Sequence, residues 1–322
     1  MMIIGYHASH EQFTPRDLVH YARLAEASGF DAVMSSDHFA PWSEAQGQSG
    51  FALSWLGAAM QATTTIPFGL ITVPCGWRYH PAITAQAAAT ICDLFPTRFP
   101  WLAVGSGERL NEHVVGQGWP AKAERNERLV AAVSIMRRLW NGETVTEETP
   151  IPVDAARLFT LPPKPPAVIA GVLSAETARW AGGWADGLIT VNQCPSSLHD
   201  ILSAFDEGGG AGKPRFLQLH LSYGATLEEA SLHAFRQWKS NAINADTAEN
   251  TGLTEDFDRL SADVSITELE KHVQISANPR QHADMIAAYA ALGFDEIYLH
   301  NVGTNQAEFI EVFGRDVLPK LR

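Results

Sequence analysis

The sequence predicts an α/β protein of the (β/α)8 barrel type, with insertions after the second, fourth and seventh strands. Short apolar runs alternate with amphipathic helices eight times along the 322 residues, and such alternation in one chain is typical of an eight-stranded parallel barrel. Polar side chains follow most of these runs, as the mouth of a barrel enzyme requires. We expect residues 1–322 to form a single barrel domain.

The predicted strands are apolar runs that end at polar residues or glycines. They cover residues 3–7, 32–35, 67–73, 101–104, 167–171, 187–191, 216–223 and 296–300. The predicted helices cover residues 15–28, 54–61, 81–94, 122–140, 175–181, 198–205, 279–292 and 307–320. In the first predicted helix, Thr14 is a suitable N-cap, Pro15 suits the first helical position, and Gly29 ends the helix.

Three stretches are too long for simple connections and are predicted insertions: residues 39–51, 141–166 and 227–272. Loops of such length in a compact domain usually carry function or extra structure. The glycine run at 208–212 is predicted to be a flexible connector. The alternative fold, a doubly wound sheet, normally has a glycine-rich turn after its first strand. Here that strand leads into His7-Ala8-Ser9-His10 instead, which favours the barrel.

Composition excludes several classes of partner. The net charge is −13 and hydrophobic residues make up 46% of the chain, so nucleic acid and anionic membrane surfaces are not expected partners. Cys75, Cys92 and Cys194 lie far apart in sequence, which argues against a disulfide framework or a structural zinc site. No apolar stretch has the length of a membrane span. We therefore expect a cytoplasmic protein that acts on a small-molecule substrate.

The ends of the predicted strands gather polar residues and glycines that would surround one barrel mouth. They are His7, Ser36, Asp37, His38, Thr72, Ser106, Glu108, Asn111, Gly171, Asn192, Tyr223, His300 and Asn301. One hypothesis is a metal-dependent hydrolase. However, such barrels typically place two histidines one residue apart on the first strand, whereas His7 and His10 are three apart and would point to opposite faces.

The second hypothesis is a flavin-type redox enzyme. Such an enzyme needs a flat apolar slot for the ring, a phosphate-binding site and an acid–base pair beside the ring. Four aromatic residues near the mouth suit a slot: Phe39, Trp42, Trp77 and Tyr79. Ser174, at the start of the fifth helix, is the candidate for the phosphate-binding site. A non-catalytic flavin-binding protein is a third possibility.

Three motifs support the redox hypothesis by resemblance. They are Ser35-Ser36-Asp37-His38-Phe39-Ala40-Pro41-Trp42, then Arg78-Tyr79-His80-Pro81-Ala82 with Ala85-Gln86-Ala87, and then Val104-Gly105-Ser106-Gly107-Glu108-Arg109-Leu110-Asn111-Glu112. In this order they resemble the luciferase-like family, in the branch of the deazaflavin-dependent glucose-6-phosphate and secondary-alcohol dehydrogenases. The likeness covers nearly the whole chain, and it is closest to a proteobacterial subgroup described as non-F420 flavinoid oxidoreductases.

The resemblance implies a barrel with its cofactor at the mouth and implies roles for individual residues. His38 would be the base that takes a hydroxyl proton, Glu108 the acid near N1 of the ring, and Trp42 a wall that steadies developing charge. The implied cofactor-binding residues are Asp37, Thr72, Ser106, Gly107, Asn111, Gly171 and Ser174. The bond between Ile71 and Thr72 is the place to look for a non-proline cis peptide.

The chain departs from the branch at two positions that concern phosphate groups. The sugar-phosphate enzymes carry lysines around the later strands, but no Lys or Arg lies between Trp180 and Gly212; Arg259 and Arg280 are the candidates left. The loop after the fifth strand keeps one glycine, Gly171, of the usual pair. We therefore expect FMN, ahead of coenzyme F420, as cofactor, with either monooxygenase or dehydrogenase chemistry. Barrels of this family commonly pair, so a homodimer is expected.

Overall fold

A computed structural model describes residues 2–76 and 78–322. Its strands are β1 Ile3–Ala8, β2 Ala32–Ser36, β3 Phe68–Val73, β4 Trp101–Val104, β5 Val145–Glu147, β6 Val153–Ala156, β7 Ala167–Gly171, β8 Gly187–Val191, β9 Arg215–Tyr223, β10 Gln274–Ser276 and β11 Glu296–Asn301. Its helices are α1 Pro15–Ala27, α2 Ala52–Ala62, α3 Pro81–Leu94, α4 Arg109–Glu112, α5 Lys122–Trp140, α6 Ala175–Gly182, α7 Pro195–Phe205, α8 Leu227–Trp238, α9 Ala245–Asn250, α10 Thr254–Leu260, α11 Ile266–Leu269, α12 Pro279–Ala290 and α13 Gln306–Asp316.

Eight parallel strands close into a ring. Their order is β1, β2, β3, β4, β7, β8, β9 and β11, and β11 pairs with β1. The predicted (β/α)8 barrel is thereby confirmed, and the doubly wound alternative is excluded because an open sheet would have two free edges. The short strand β10 lies outside the ring and pairs with the end of β9, beyond the residues of β9 that pair with β8.

Local sequence signals place most element ends correctly. The Thr14 side chain accepts a hydrogen bond from the Asp17 N–H and caps α1 as expected, and the predicted bounds of α3 and α5 match the structure. The last predicted helix was too long: α13 ends at Asp316, and a separate 3-10 turn covers Leu318–Lys320, where Pro319 lacks the N–H that a continuing helix needs.

The predicted insertions contain structure of their own. Residues 141–166 hold the antiparallel hairpin of β5 and β6, and the insertion after β9 holds α8 to α11. The run at 208–212 is not the flexible connector that composition predicts. Its glycines allow close packing: a Cβ at Gly208 would lie 1.9 Å from the Arg179 carbonyl oxygen, and one at Gly210 would lie 2.3 Å from the Phe205 ring.

The interior of the barrel has two distinct ends. Large rings fill the bottom: Trp101 lies 5.2 Å from Phe216 and 5.5 Å from Tyr298, ring centre to ring centre. Gly5 and Gly69 leave room for these rings, since a Cβ at Gly69 would lie 2.0 Å from Trp101. The opposite end, at the carboxyl ends of the strands, is lined by polar side chains and is the mouth described below.

Candidate active site

His38 lies at the end of β2 and contacts a polar group at each ring nitrogen. Its Nδ1 is 3.0 Å from Asn111 Nδ2, and its Nε2 is 3.4 Å from Glu11 Oε1. The Asn111 side-chain oxygen accepts from the Phe39 and Ala40 N–H groups at 2.9 and 3.2 Å, so the amide nitrogen must donate to Nδ1. The neutral ring therefore carries its proton on Nε2, facing Glu11.

Glu11 is a functional candidate that the sequence analysis missed. It is buried, and one carboxylate oxygen accepts hydrogen bonds from the hydroxyls of Ser9, at 2.7 Å, and Ser36, at 2.8 Å. Burial acts to raise the pKa of this carboxyl, but the nearby His38 and the Ser9 hydroxyl outweigh it and hold the pKa below its usual value. The sequence did carry a signal for Glu11, namely an acidic residue a few positions after the first buried strand.

Glu108 shares the Asn111 amide with His38. Asn111 Nδ2 also lies 3.4 Å from Glu108 Oε2, so one side chain connects the predicted base and the predicted acid. Burial of the carboxyl group raises the pKa of Glu108, and the negative charge of Glu11 adds to the effect, while His38 opposes it. Such a carboxyl keeps its proton more readily than a solvated one, which suits an acid.

Asp37 faces the neighbouring loop. Its buried carboxylate accepts from Arg78 Nη2 at 2.8 Å and from the Tyr79 hydroxyl at 3.0 Å. Arg78 also contacts Glu112, through its backbone N–H at 2.9 Å and its Nε at 3.3 Å. Burial raises the pKa of Glu112 to about 7, against the lowering effect of Arg78. This network joins the second and third recognised motifs to the first, and a cofactor contact of Asp37 stays a prediction.

The wall opposite the histidines is built from small residues. The peptide bond between Ile71 and Thr72 is cis, as expected. A Cβ at Gly171 would lie 2.9 Å from the Thr72 methyl, and one at Gly105 would lie 3.2 Å from it. Thr72 thus lies between two glycines from neighbouring strand ends, and their missing side chains make room for its methyl group.

Ser106 and Gly107 lie in the turn before Glu108. Gly107 has φ +85°, and a Cβ there would lie 2.7 Å from the Glu112 side chain, so the turn itself requires glycine. Ser174 is the N-cap of α6, where its hydroxyl accepts from the Thr177 N–H at 3.3 Å. A phosphate at this helix start would lie beside a hydroxyl that already has a partner.

The predicted aromatic slot is only partly assembled. Trp42 lies 4.9 Å from the His38 ring and 5.2 Å from Phe257 of α10, so it stands between the predicted base and the insertion after β9. Phe39 is 55% exposed at the rim, and Tyr79 contacts Asp37 and Arg78. Trp77 lies outside the residues that the structure describes.

Two residues assigned to the mouth from sequence do not face it. Side chains alternate along a strand, so Tyr223 and Asn301 point away from the barrel interior. Tyr223 packs against His282 and Phe313, and the Asn301 side chain accepts from the Tyr223 N–H. Arg259 and Arg280 are exposed, and Arg259 pairs with Asp256.

Within residues 2–76 and 78–322, no group of three or more His, Cys, Asp or Glu side chains is arranged to hold a metal ion. Over the same residues, none of the helices combines the length and apolar character needed to span a bilayer.

Comparison with known proteins gives concordant results. The family model for luciferase-like monooxygenases matches residues 2–296. The chain is 36% identical to an F420-dependent glucose-6-phosphate dehydrogenase of Intrasporangium calvum, over 100% of this chain and 99% of that protein. It is 35% identical to an F420-dependent glucose-6-phosphate dehydrogenase of Microbacterium testaceum, over 99% of this chain and 97% of that protein. Among solved structures, an F420-dependent secondary alcohol dehydrogenase in complex with an F420-acetone adduct superposes with a TM-score of 0.93, at 28% identity, covering 100% and 99% of the two chains.

Proposed function

The chain belongs to the luciferase-like monooxygenase family, and on that premise we propose that it is an F420-dependent dehydrogenase of a small alcohol. The observation that supports dehydrogenase chemistry best is the pairing of His38 with buried Glu11 at the mouth, next to Glu108. The reaction would move a hydride from the carbinol carbon to the cofactor and the hydroxyl proton to the protein, leaving a carbonyl product. Bound F420 would supply the hydride acceptor.

The His38–Glu11 pair, rather than His38 alone, is the proton-exchanging unit in this proposal. Both nitrogens of His38 are occupied before substrate arrives, and the contact with Glu11 at 3.4 Å is longer than that with Asn111 at 3.0 Å. A substrate hydroxyl would therefore enter between Nε2 and the carboxylate. There it can accept a hydrogen bond from the Nε2–H of His38 and give its proton to the Glu11 carboxylate.

The small-residue wall supports a flat tricyclic cofactor. Thr72, Gly105 and Gly171 would contact one face of the ring, and Glu108 would be the acid at its N1 edge. FMN, which the sequence favours, has less support than F420, because the compared dehydrogenases are F420-dependent proteins. Monooxygenase chemistry on FMN is the alternative that the family name keeps open.

The test is a cofactor titration followed by turnover. Purified protein is mixed separately with F420 and FMN, binding is followed by absorbance, and alcohols are then added while the F420 band is monitored. We expect F420 to bind and to lose absorbance with an alcohol. Binding of FMN but not of F420, with oxygen consumption once the bound FMN has been reduced chemically, would replace this proposal by the monooxygenase alternative.

We further propose that residues 1–322 form one domain that works as a homodimer in the cytoplasm, without nucleic acid or membrane partners. The net charge of −13 and the three free cysteines support this environment. Bonds between insertions support one domain: Thr254 Oγ1 donates to the Pro41 carbonyl at 2.9 Å. Light scattering after size-exclusion chromatography tests the dimer, and a single unfolding transition is expected of one domain.

A further inference from the structure

Three histidines and a tryptophan form a cluster at the mouth, beside the His38–Glu11 pair. His7 ends β1, His220 lies on β9, His300 lies on β11, and Trp238 ends α8. The ring centres of His7 and His300 are 4.3 Å apart, and those of His220 and His300 are 5.3 Å apart. Trp238 lies 4.5 Å from His300 and 5.3 Å from His220. We call these four residues the histidine cluster.

The members of the cluster differ in how their polar atoms are satisfied. His300 has a partner at both nitrogens: Gln12 Oε1 at 2.9 Å and Gln218 Nε2 at 3.2 Å. In contrast, His7 Nδ1, His220 Nδ1 and Trp238 Nε1 are buried without a hydrogen-bond partner. A buried polar atom that lacks a partner is costly, and its persistence in a folded protein calls for an explanation such as a ligand.

The cluster is electrically neutral at physiological pH. Burial, together with the neighbouring histidines, lowers the pKa of His7 to about 4 and that of His220 to about 3, although Glu11 opposes the shift at His7. The other titratable groups that influence the two are His10, His38 and His272. A neutral imidazole offers one donor and one acceptor, and the indole offers a donor.

These atoms suit hydroxyl or carbonyl oxygens and do not suit an anion. A phosphate dianion would need fixed positive charge, and two of the four cations in the insertion after β9 already have partners: Arg259 pairs with Asp256, and Lys271 pairs with Glu268. A metal ion is an equally poor match, since the described residues provide no converging ligand set.

We propose that His7, His220 and Trp238 recognise the oxygen atoms of an uncharged alcohol substrate, so that the enzyme selects against phosphate esters. This inference rests on the proposed function, because it takes the His38–Glu11 pair as the reacting end of the site. His7 connects the two parts: it belongs to the cluster and lies close enough to Glu11 and His38 for their charges to influence it. The substrate would extend from the pair across the cluster, beneath Trp42.

The test compares His220→Phe with His282→Phe. Both histidines are buried, but His282 Nε2 is 3.0 Å from the Ser276 carbonyl oxygen and lies on α12, outside the barrel. Phe removes the polar nitrogens and keeps a ring. We expect His220→Phe to raise the melting temperature, because an unpartnered polar atom is removed, and His282→Phe to lower it, because a hydrogen bond is lost.

Activity and binding provide the second measurement. With F420, we expect His220→Phe to raise KM for an uncharged alcohol about tenfold, with kcat nearly unchanged, whereas His282→Phe leaves KM unchanged. For the wild-type protein, the response to glucose is compared with that to glucose 6-phosphate, and the response to glycerol with that to glycerol 3-phosphate. The two responses measured are turnover and the thermal shift of the cofactor-free protein. The uncharged member of each pair should give the larger response.

The outcomes separate this inference from the proposed function. Any one of three results would overturn the inference. The first is a lower melting temperature for His220→Phe. The second is a higher melting temperature for that variant with an unchanged KM, and the third is a larger response of the wild-type protein to a phosphate ester. Failure of the wild-type protein to bind F420 would overturn the proposed function instead. In that case the melting temperatures and the thermal shifts of the cofactor-free protein still decide the inference.

Discussion

The two ends of the barrel interior differ in how completely the protein satisfies them with its own contacts. At the bottom, Gly5 and Gly69 leave space that the rings of Tyr298 and Trp101 fill, and Trp101 Nε1 donates to the Tyr298 hydroxyl. At the mouth, Gly105 and Gly171 make room for the Thr72 side chain, but His7 Nδ1 and His220 Nδ1 are buried without a hydrogen-bond partner. The bottom is therefore a packed core, whereas the mouth keeps polar atoms that the described residues do not satisfy.

The largest effect is expected at the mouth, from His38→Asn. Loss of the imidazole removes the Nε2–H donor that would hold the substrate oxygen beside Glu11, so kcat should fall by about 10²- to 10⁴-fold. The melting temperature should change little, because His38 is not part of the hydrophobic core. Steady-state kinetics with F420 and circular dichroism measure the two effects. His199→Asn, an exposed histidine on α7, is the matched control, and equal losses in both variants would contradict the assignment.

A matched pair of glycine substitutions tests the comparison directly. Gly69→Ala should reduce the free energy of unfolding by about 1–3 kcal/mol, because its Cβ would overlap the Trp101 ring and force the packed core to shift. Gly171→Ala should cost less stability, because its Cβ would lie 2.9 Å from the small Thr72 side chain, but it should weaken F420 binding by displacing Thr72 in the proposed cofactor wall. Chemical denaturation and F420 titration of both variants are the measurements. Similar losses of stability without a difference in F420 affinity would remove the distinction between the two ends.

Glu11→Gln is expected to have a smaller effect on rate than His38→Asn. Gln keeps the shape but cannot accept the hydroxyl proton of the substrate, so kcat should fall about 10- to 100-fold. The same variant also tests the charge of Glu11. Because the folded pKa lies below the unfolded value, the ionised carboxylate contributes stability at neutral pH, and that contribution is lost as pH falls through the folded pKa.

The stability difference between wild-type protein and Glu11→Gln should therefore be largest near pH 7 and should shrink toward about pH 3, which lies below the usual pKa of a glutamate. Urea unfolding at a series of pH values measures it. A difference that grows as pH falls would show that Glu11 is protonated in the folded state.

The smallest effect is expected for Glu108→Gln. Burial already raises the pKa of this carboxyl, so an uncharged replacement should leave folding nearly unchanged. Turnover should fall by about tenfold, less than the ~10²-fold that a positioned acid usually contributes, because Gln can still donate a hydrogen bond. Unchanged kcat would remove Glu108 from the mechanism.

Sequence patterns were sufficient for the fold and for the position of His38 at the mouth, but not for the partners of His38. A capping side chain and a proline at the first helical position determine where α1 and α3 begin, so these starts could be read from a short window. Glu11 and His38 are brought together by the pairing of β1 with β2, and Asp37 and Arg78 by two loops 41 positions apart. No local pattern encodes those contacts.

The errors have equally specific causes. Tyr223 and Asn301 were placed at the mouth because they end strands, although alternation directs their side chains outward. The glycines at 208–212 were taken as flexible because composition does not show that Gly208 and Gly210 pack against Arg179 and Phe205.

Hydride transfer from an uncharged alcohol is tested most directly by the rate at which bound F420 loses its absorbance in a single turnover with 2-propanol. We expect 2-propanol deuterated at its central carbon to reduce F420 more slowly, since that carbon supplies the hydride, and we expect His38→Asn to abolish most of the reaction. No loss of F420 absorbance in the wild-type protein with any uncharged alcohol, or equal rates in wild type and His38→Asn, would contradict it.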